Sequence, residues 1–266
     1  MPPKAHSRGW YDRLAEMQQG YYYPWRSTIA DGNGEEAYAK LVREHLSADK
    51  DVLDVGCGHG EFTLTHGPLC RSILGYDRVL PYIESANRAR RKAGVENVSF
   101  VCADSSADTS GSVTIPAPAD SFDVLISRRG PLNYIEDARR VAHTGAVVIQ
   151  LNPMETHAPA WQAALPRELP IAESGAAGPA GSMRESVERR LSAVGLRLHS
   201  CWTFDVPEHL QDPEQLYIML TWGRALDEVP PLAEVRETLG RVFSDHAESE
   251  GLVWRHRRFL WKAVVE

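Results

Sequence analysis

Between Asp51 and Leu151 the chain alternates short β-branched runs with stretches whose apolar residues recur every three or four positions. That alternation is the pattern of a parallel sheet flanked by helices. It predicts strands near Val52–Val55, Ser72–Tyr76, Val98–Cys102, Phe122–Ile126 and Ala146–Leu151. Ahead of the first strand, Ala37/Tyr38, Leu41/Val42 and His45/Leu46 repeat at helical spacing, with Asn33 as the helix cap and Glu36 three residues on. Pro81 near its start and Gly94 at its end punctuate a helix after the second strand. The stretch from Ser174 to Ser182 is rich in glycine and alanine and reads as a mobile loop. Beyond it the pattern predicts a helix from Met183 to Val194, a strand from Arg197 to Asp205 and a last strand from Arg257 to Val265. Two helical stretches between those strands, introduced by Asp212-Pro213 and Pro230-Pro231, read as an insertion covering one end of the sheet.

The expected architecture is therefore α/β, with seven mostly parallel strands and helices on both faces. Three parts follow from it: an N-terminal extension over 1–32, a core over 33–205 together with 257–266, and a helical insertion over 206–256.

Charge and composition narrow the partners. With 29 Lys+Arg against 36 Asp+Glu the 266 residues carry a formal charge of −7. Coating nucleic acid by bulk electrostatics draws on clustered basic residues that release counterions, and this balance opposes it while leaving room for a local basic site. No apolar run approaches the ~18 residues of a membrane span, and the opening from Met1 to Trp10 is polar, so the expected setting is the cytoplasm with no membrane partner. Cys57, Cys70, Cys102 and Cys201 are scattered without a paired spacing, and no metal site is expected.

The chemistry is concentrated in Val52-Leu-Asp54-Val-Gly56-Cys-Gly58-His-Gly60-Glu61, an apolar strand running into a tight glycine turn. Glycines there let the backbone turn sharply, approach a ligand and open a helix against the sheet. A dinucleotide fingerprint would place glycine at Glu61 and would not need an acid two residues before its first glycine. The spacing resembles instead that of the class I S-adenosylmethionine-dependent methyltransferases. Two further stations match that family, Ile73-Leu-Gly-Tyr-Asp77 and Phe100-Val-Cys-Ala-Asp104, and Ser121-Phe-Asp123-Val-Leu-Ile resembles its fourth strand.

The resemblance runs from about Asn33 to Leu151. It implies a Rossmann-like fold and S-adenosylmethionine as cofactor. It assigns the ligand's amino group to Asp54, its ribose hydroxyls to Asp77 and its adenine amino group to Asp104, with Gly56, Cys57, Gly58, Gly60, Arg78, Ser105 and Ser127 completing the cofactor contacts. Taken singly, Asp77 or Asp104 also reads as a helix cap or turn residue.

After the fourth strand the chain reads Ser127-Arg-Arg-Gly-Pro131-Leu-Asn133-Tyr134. The family's amino-methylating nucleic-acid enzymes carry two prolines and an aromatic residue where Arg128 and Arg129 stand. Methylation at cytosine C5 needs a cysteine near this segment, and it has none. Two guanidinium groups at a buried strand end are costly unless they meet an anion, and a carboxylate or phosphate is what arginine binds bidentately. The alternative is that one pairs with Asp104, Asp123 or Glu155 while the other is solvated.

Aromatic residues are unevenly spread. All seven tryptophans fall outside the span from Arg26 to Ala160. Trp10, Leu14, Met17 and Tyr21 share one helical face, and Tyr21-Tyr22-Tyr23-Pro-Trp25 follows directly. This stretch reads either as a lid over cofactor and flat substrate, with Tyr21, Tyr23 and Trp25 alongside Arg128 and Arg129 as substrate contacts, or as a helix packed on the sheet. Tyr22, His157 and His256 are the candidate catalytic groups, although lone histidines are also common as structural residues.

Three functions are compatible with these residues. The first is a methyltransferase acting on a small, anionic and aromatic metabolite. The second is an RNA-base methyltransferase whose arginines bind phosphate and whose aromatics stack bases, which the net charge and the lack of a separate basic module oppose. The third is a non-catalytic module that binds the cofactor as a sensor or partner subunit.

Overall fold

The structure is a computed structural model that describes residues 7–18, 20–105, 112–154, 158–169 and 183–266. Among them eight strands form one mixed sheet: β1 (Ser27–Ile29), β2 (Asp51–Val55), β3 (Ser72–Asp77), β4 (Val98–Cys102), β5 (Phe122–Arg128), β6 (Ala142–Pro153), β7 (Leu196–Leu210) and β8 (Leu252–Val265). Their order across the sheet is β1-β7-β8-β6-β5-β2-β3-β4. Strands β2 to β6 run parallel to their neighbours among themselves. The rest of the sheet is antiparallel, with β8 against β6 and β7, and β1 against β7.

The seven strands read from the sequence thus become eight, and the sheet is mixed rather than mostly parallel. The extra strand is only three residues long, too short to show alternation, and it is fixed by pairing Ser27 with Leu210 and Ile29 with Glu208. The antiparallel pair β7/β8 runs from Leu196/Val265 out to Leu210/Leu252, with a bulge between Leu198 and Ser200, so both strands extend well beyond their expected ends and the segment between them is 211–251.

The parallel strands are apolar because both faces are covered. On one face α5 (Ile135–Val141) and α6 (Met183–Ala193) bring Ile135, Val141, Val187 and Leu191 onto Leu53, Leu125, Val148 and Trp261. On the other, α2 (Glu35–Glu44) and α4 (Leu80–Ala93) bring Tyr38, Val42, Ile83 and Ala86 onto Val52, Ile73, Val124 and Ile149. Pro81 and Gly94 bound α4 as expected, with Gly94 at φ 66°. At α2 the cap differs from the sequence reading. Gly34 takes the cap position at φ 89°, where a Cβ would stand 2.6 Å from the Phe204 ring, and Asn33 accepts the Glu35 N–H at 3.0 Å from one residue further out.

The remaining elements lie around the edge. Helix α3 (Glu61–His66) opens directly from the glycine turn. The segment between β7 and β8 carries α7 (Pro213–Thr221) and α8 (Leu232–His246), and builds a separate small core from Leu216, Leu220, Val235, Leu239, Leu210, Leu252 and Trp161. Helix α1 (Arg8–Met17) buries Trp10 and Leu14. The longer helical face read from the sequence does not persist, since Met17 is exposed and Tyr21 lies beyond the helix end. The glycine-rich stretch from Ser174 to Ser182, Glu155 and His157 lie outside the described residues. Among the described residues no helix is long and apolar enough to cross a membrane.

Candidate functional site

A cavity of about 620 Å³ opens where β2, β3, β4 and β5 end, the crevice in which open α/β sheets take ligands. Its floor is the glycine turn. Gly56, Gly58 and Gly60 all have positive φ, at 69°, 56° and 78°. At Gly60 the need for glycine is also steric, since a Cβ would stand 2.5 Å from the Phe100 ring; at Gly58 it would meet nothing within 4 Å, because that position borders the open cavity.

Asp54 ends β2 at the cavity wall and is buried. Burial pushes its carboxyl up to about 6, although Thr63 Oγ1 donates to Oδ2 at 2.6 Å and Arg128 also favours the charge. Asp77 ends β3, also with its carboxyl raised by burial, and accepts the Gly58 N–H through Oδ2 and the Val79 N–H through Oδ1, each at 2.9 Å. Asp104, past the end of β4, lines the cavity and stands 3.9 Å from Arg8. Three carboxylates therefore sit at three successive strand ends, and Asp54 has a charge that burial disfavours until a cation meets it. That set fits the ammonium, ribose and adenine amino group of S-adenosylmethionine.

The other expected cofactor residues divide. Cys57, Arg78 and Ser105 line the cavity. Burial pushes the Cys57 thiol well up, which suits packing rather than nucleophilic attack. The Arg78 guanidinium lies 5.1 Å from the Tyr11 ring centre. Ser105 accepts from Tyr76 at 3.0 Å, and its carbonyl accepts from Asn133 at 2.9 Å. Ser127, in contrast, is fully buried and donates to the Val55 carbonyl at 2.9 Å, tying β5 to β2 rather than lining the cavity.

Arg128 and Arg129 both line the cavity, and both approach a carboxylate that the sequence reading did not name. That carboxylate is Glu35, in the first turn of α2. Arg128 Nε donates to Glu35 Oε2 at 2.7 Å, and its guanidinium lies 5.7 Å from the Phe62 ring centre. Arg129 approaches Glu35 only to 3.8 Å and lies over both Tyr21 and Tyr23, 5.7 and 5.6 Å from their ring centres. Burial would raise the Glu35 carboxyl, but Arg129 and Arg128 outweigh it and hold it below the usual value. Arg129 is also one of the few non-glycine residues at positive φ, 64°.

The N-terminal stretch covers this end. Tyr11, Tyr21, Tyr22 and Tyr23 line the cavity, with Tyr22 about half exposed. Trp222, at the end of α7, meets Trp10, Tyr21, Tyr23 and Trp25 at 4.9 to 5.6 Å between ring centres, so the extension rests on the insertion as well as on the core. Trp25 stacks on Tyr23 at 4.8 Å but does not itself line the cavity. His256 is displaced further. It is buried beside Glu208, with Nδ1 3.3 Å from Oε2, and Glu208 also accepts from Trp25 at 3.0 Å and Ser27 at 2.7 Å. This corrects the reading of His256 as a base: among the described residues it belongs to a buried polar cluster outside the cavity lining.

Sequence reading missed Glu35, His59, Tyr11 and Asn133. Glu35 carried only the signature of an acidic first turn, and His59 that of a spacer between glycines. Among the described residues no group of three or more His, Cys, Asp or Glu is arranged to hold a metal.

Residues 52–153 match the family model of the methyltransferase domain. Over these residues the chain carries a methyltransferase domain. An uncharacterized methyltransferase, YcgJ of Bacillus subtilis, is 27% identical over 126 residues, 47% of each chain. The 23S rRNA (uracil(1939)-C(5))-methyltransferase RlmD of Aeromonas salmonicida is 30% identical over 114 residues, 41% of this chain and 25% of that enzyme. The matches thus span about half or less of these relatives' lengths. A crystal structure of a functionally unknown protein from Deinococcus radiodurans shares the fold across 97% of this chain and 100% of its own, with a TM-score of 0.66 and 20% identity.

Proposed function

We propose that the protein is an S-adenosylmethionine-dependent methyltransferase acting on a small, anionic and aromatic metabolite. The observation that carries this reading is one cavity lined by Asp54, Asp77 and Asp104 together with Arg128, Arg129, Tyr21, Tyr22 and Tyr23. Its size is that of a small-molecule pocket, roughly 300–1,000 Å³, rather than a groove for a polymer.

When bound, the cofactor supplies a methyl group already activated on a sulfonium. What this chain's residues then have to do is align the acceptor and exclude water. Asp54 would neutralise the ammonium, Asp77 would accept hydrogen bonds from the ribose hydroxyls and Asp104 from the adenine amino group, with the glycine turn allowing close approach. Arg128 or Arg129 orients the acceptor's anionic group, and Tyr21 and Tyr23 flank it. Of the candidate groups for proton removal among the described residues, Tyr22 lines the cavity, and a base is required only where the acceptor atom loses a proton.

Similarity to the rRNA enzyme favours a second reading, methylation of an RNA base. The formal charge of −7 and the lack of cysteine between Ser127 and Tyr134 weigh against it. The test is transfer of tritium from methyl-labelled S-adenosylmethionine into a cell extract, fractionated into small molecules, RNA and protein. Label in the small-molecule fraction is expected; label in RNA alone would favour the second reading, and no transfer would leave a cofactor-binding module.

A further inference from the structure

We propose that the two cavity arginines divide their work: Arg129 binds the substrate through a single planar carboxylate, while Glu35 withholds Arg128 from the substrate and so excludes phosphate dianions. This rests on the small-molecule reading above and names the substrate class for that site.

The geometry separates the two guanidinium groups. Arg128 spends its Nε on Glu35 at 2.7 Å and lies over Phe62, so its charge is already paired. Arg129 stays 3.8 Å from Glu35, beyond hydrogen-bond reach, and its Nε is buried without a hydrogen-bond partner. Tyr21 and Tyr23 lie beside it, and Tyr23 also hydrogen-bonds it, which leaves the rest of the guanidinium edge that lines the cavity for a ligand. A carboxylate meets such an edge with two parallel bonds and carries its ring into the aromatic wall. The backbone of Arg129 holds φ 64° while its N–H donates to the Leu151 carbonyl at 2.8 Å, so the chain maintains a disfavoured conformation to aim this side chain.

The charge balance agrees with the geometry. Of the groups around Glu35, Arg128 and Arg129 line the cavity; Arg258 also acts on Glu35 but lies outside the cavity lining, with its Nη1 on the Arg257 carbonyl. With Arg128 and Glu35 neutralising each other, the acceptor end offers one guanidinium to one negative charge. A phosphate monoester would bring a second charge beside the ionised Glu35, in a partly buried site where like charges are costly.

Calorimetry on the full chain tests this, with and without S-adenosylhomocysteine, at pH 8. The probes are 4-hydroxybenzoate, phenyl phosphate and a short single-stranded RNA. The carboxylate is expected to bind at least tenfold more tightly than phenyl phosphate and the RNA. Arg129→Lys should weaken it at least tenfold and leave S-adenosylhomocysteine affinity within twofold. Glu35→Gln, which frees Arg128, should bring carboxylate and phosphate within threefold of each other or invert them. Arg128→Gln, informative even if the Glu35 variant does not fold, should weaken the carboxylate by less than threefold. The proposal is overturned by failure of the carboxylate to bind, by tighter binding of phosphate or RNA, or by an unchanged ratio in Glu35→Gln. It is equally overturned if Arg128→Gln costs as much as Arg129→Lys, or if Arg129→Lys loses the nucleoside instead. Failure to bind S-adenosylhomocysteine counts against the cofactor reading alone, because the probes are also titrated without it.

Discussion

The backbone N–H of Tyr21 donates to Nδ1 of His59 at 3.3 Å, joining the N-terminal extension to the glycine turn. A residue in the middle of the cofactor turn thus holds the first tyrosine of the aromatic wall. Gln18 supports the same bend by donating to the Gly20 and Tyr22 carbonyls at 2.8 and 3.0 Å. A ligand seated on the turn should therefore steady the extension. Hydrogen exchange across Trp10 to Trp25 is expected to slow when S-adenosylhomocysteine is added, more than exchange in α6, and His59→Ala should lessen that protection. Equal exchange with and without ligand would reduce these aromatics to packing.

Asp54 gives a pH signature. Its carboxyl is raised from 3.8 to about 6, so the native protein holds more protons than the unfolded chain between those values. Stability of the ligand-free protein then falls as pH rises through that window, by a penalty on the order of 3 kcal/mol. Cofactor affinity should move the other way, because the ligand's ammonium needs the ionised acid. Below about pH 6 each unit of pH should cost close to tenfold in Kd, with Asp77, raised in the same direction, adding to the trend. Asp54→Asn should flatten most of the profile. A wild-type Kd that is constant from pH 5 to 8 would exclude Asp54 as the ammonium partner.

Two glycines of the turn should fail differently. Gly60→Ala places a methyl 2.5 Å from Phe100 and 2.8 Å from Ala86, in a packed region, and should lower stability by several kcal/mol, on the order of an overpacked core plus a strained backbone. Gly58→Ala meets nothing within 4 Å and should cost only about 1–2 kcal/mol of left-handed strain while impairing cofactor binding. Thermal unfolding and calorimetry on the two variants check this, and the reverse order would mean the turn is misplaced.

The Glu208 cluster should prove structural. Glu208→Ala strands Trp25, Ser27 and His256 without their acceptor and should cost about 3–5 kcal/mol, as for a broken buried pair. His256→Gln should lower the melting temperature but leave kcat within twofold. A hundredfold loss of kcat with unchanged stability would return His256 to the catalytic group.

What could be read from the sequence was local. Asp54, Asp77 and Asp104 each follow an apolar run at a fixed offset, so strand, turn and acid are encoded within a few residues of one another. The partner of Arg128 was not visible, since Glu35 reaches it from a helix that precedes the whole parallel sheet and looks, in sequence, like any acidic helix start. Trp222 was counted among the peripheral aromatics, but its place against Tyr21 and Tyr23 depends on α7 folding back over the extension. Strand β1 escaped notice for a related reason: three residues carry no period, and only the length of β7 makes an edge for them to join. His256 had the chemistry of a base and the environment of a buried anchor, a difference that burial decides and residue type does not.

The most direct test of the cofactor site is calorimetric titration of S-adenosylmethionine and S-adenosylhomocysteine into the wild-type protein and Asp54→Ala. Both ligands are expected to bind one-to-one, and the variant to lose more than ~1 kcal/mol, the cost of leaving the ligand's ammonium without its charged partner. Failure of both to bind the wild type, or tighter binding of a nicotinamide dinucleotide, would contradict it.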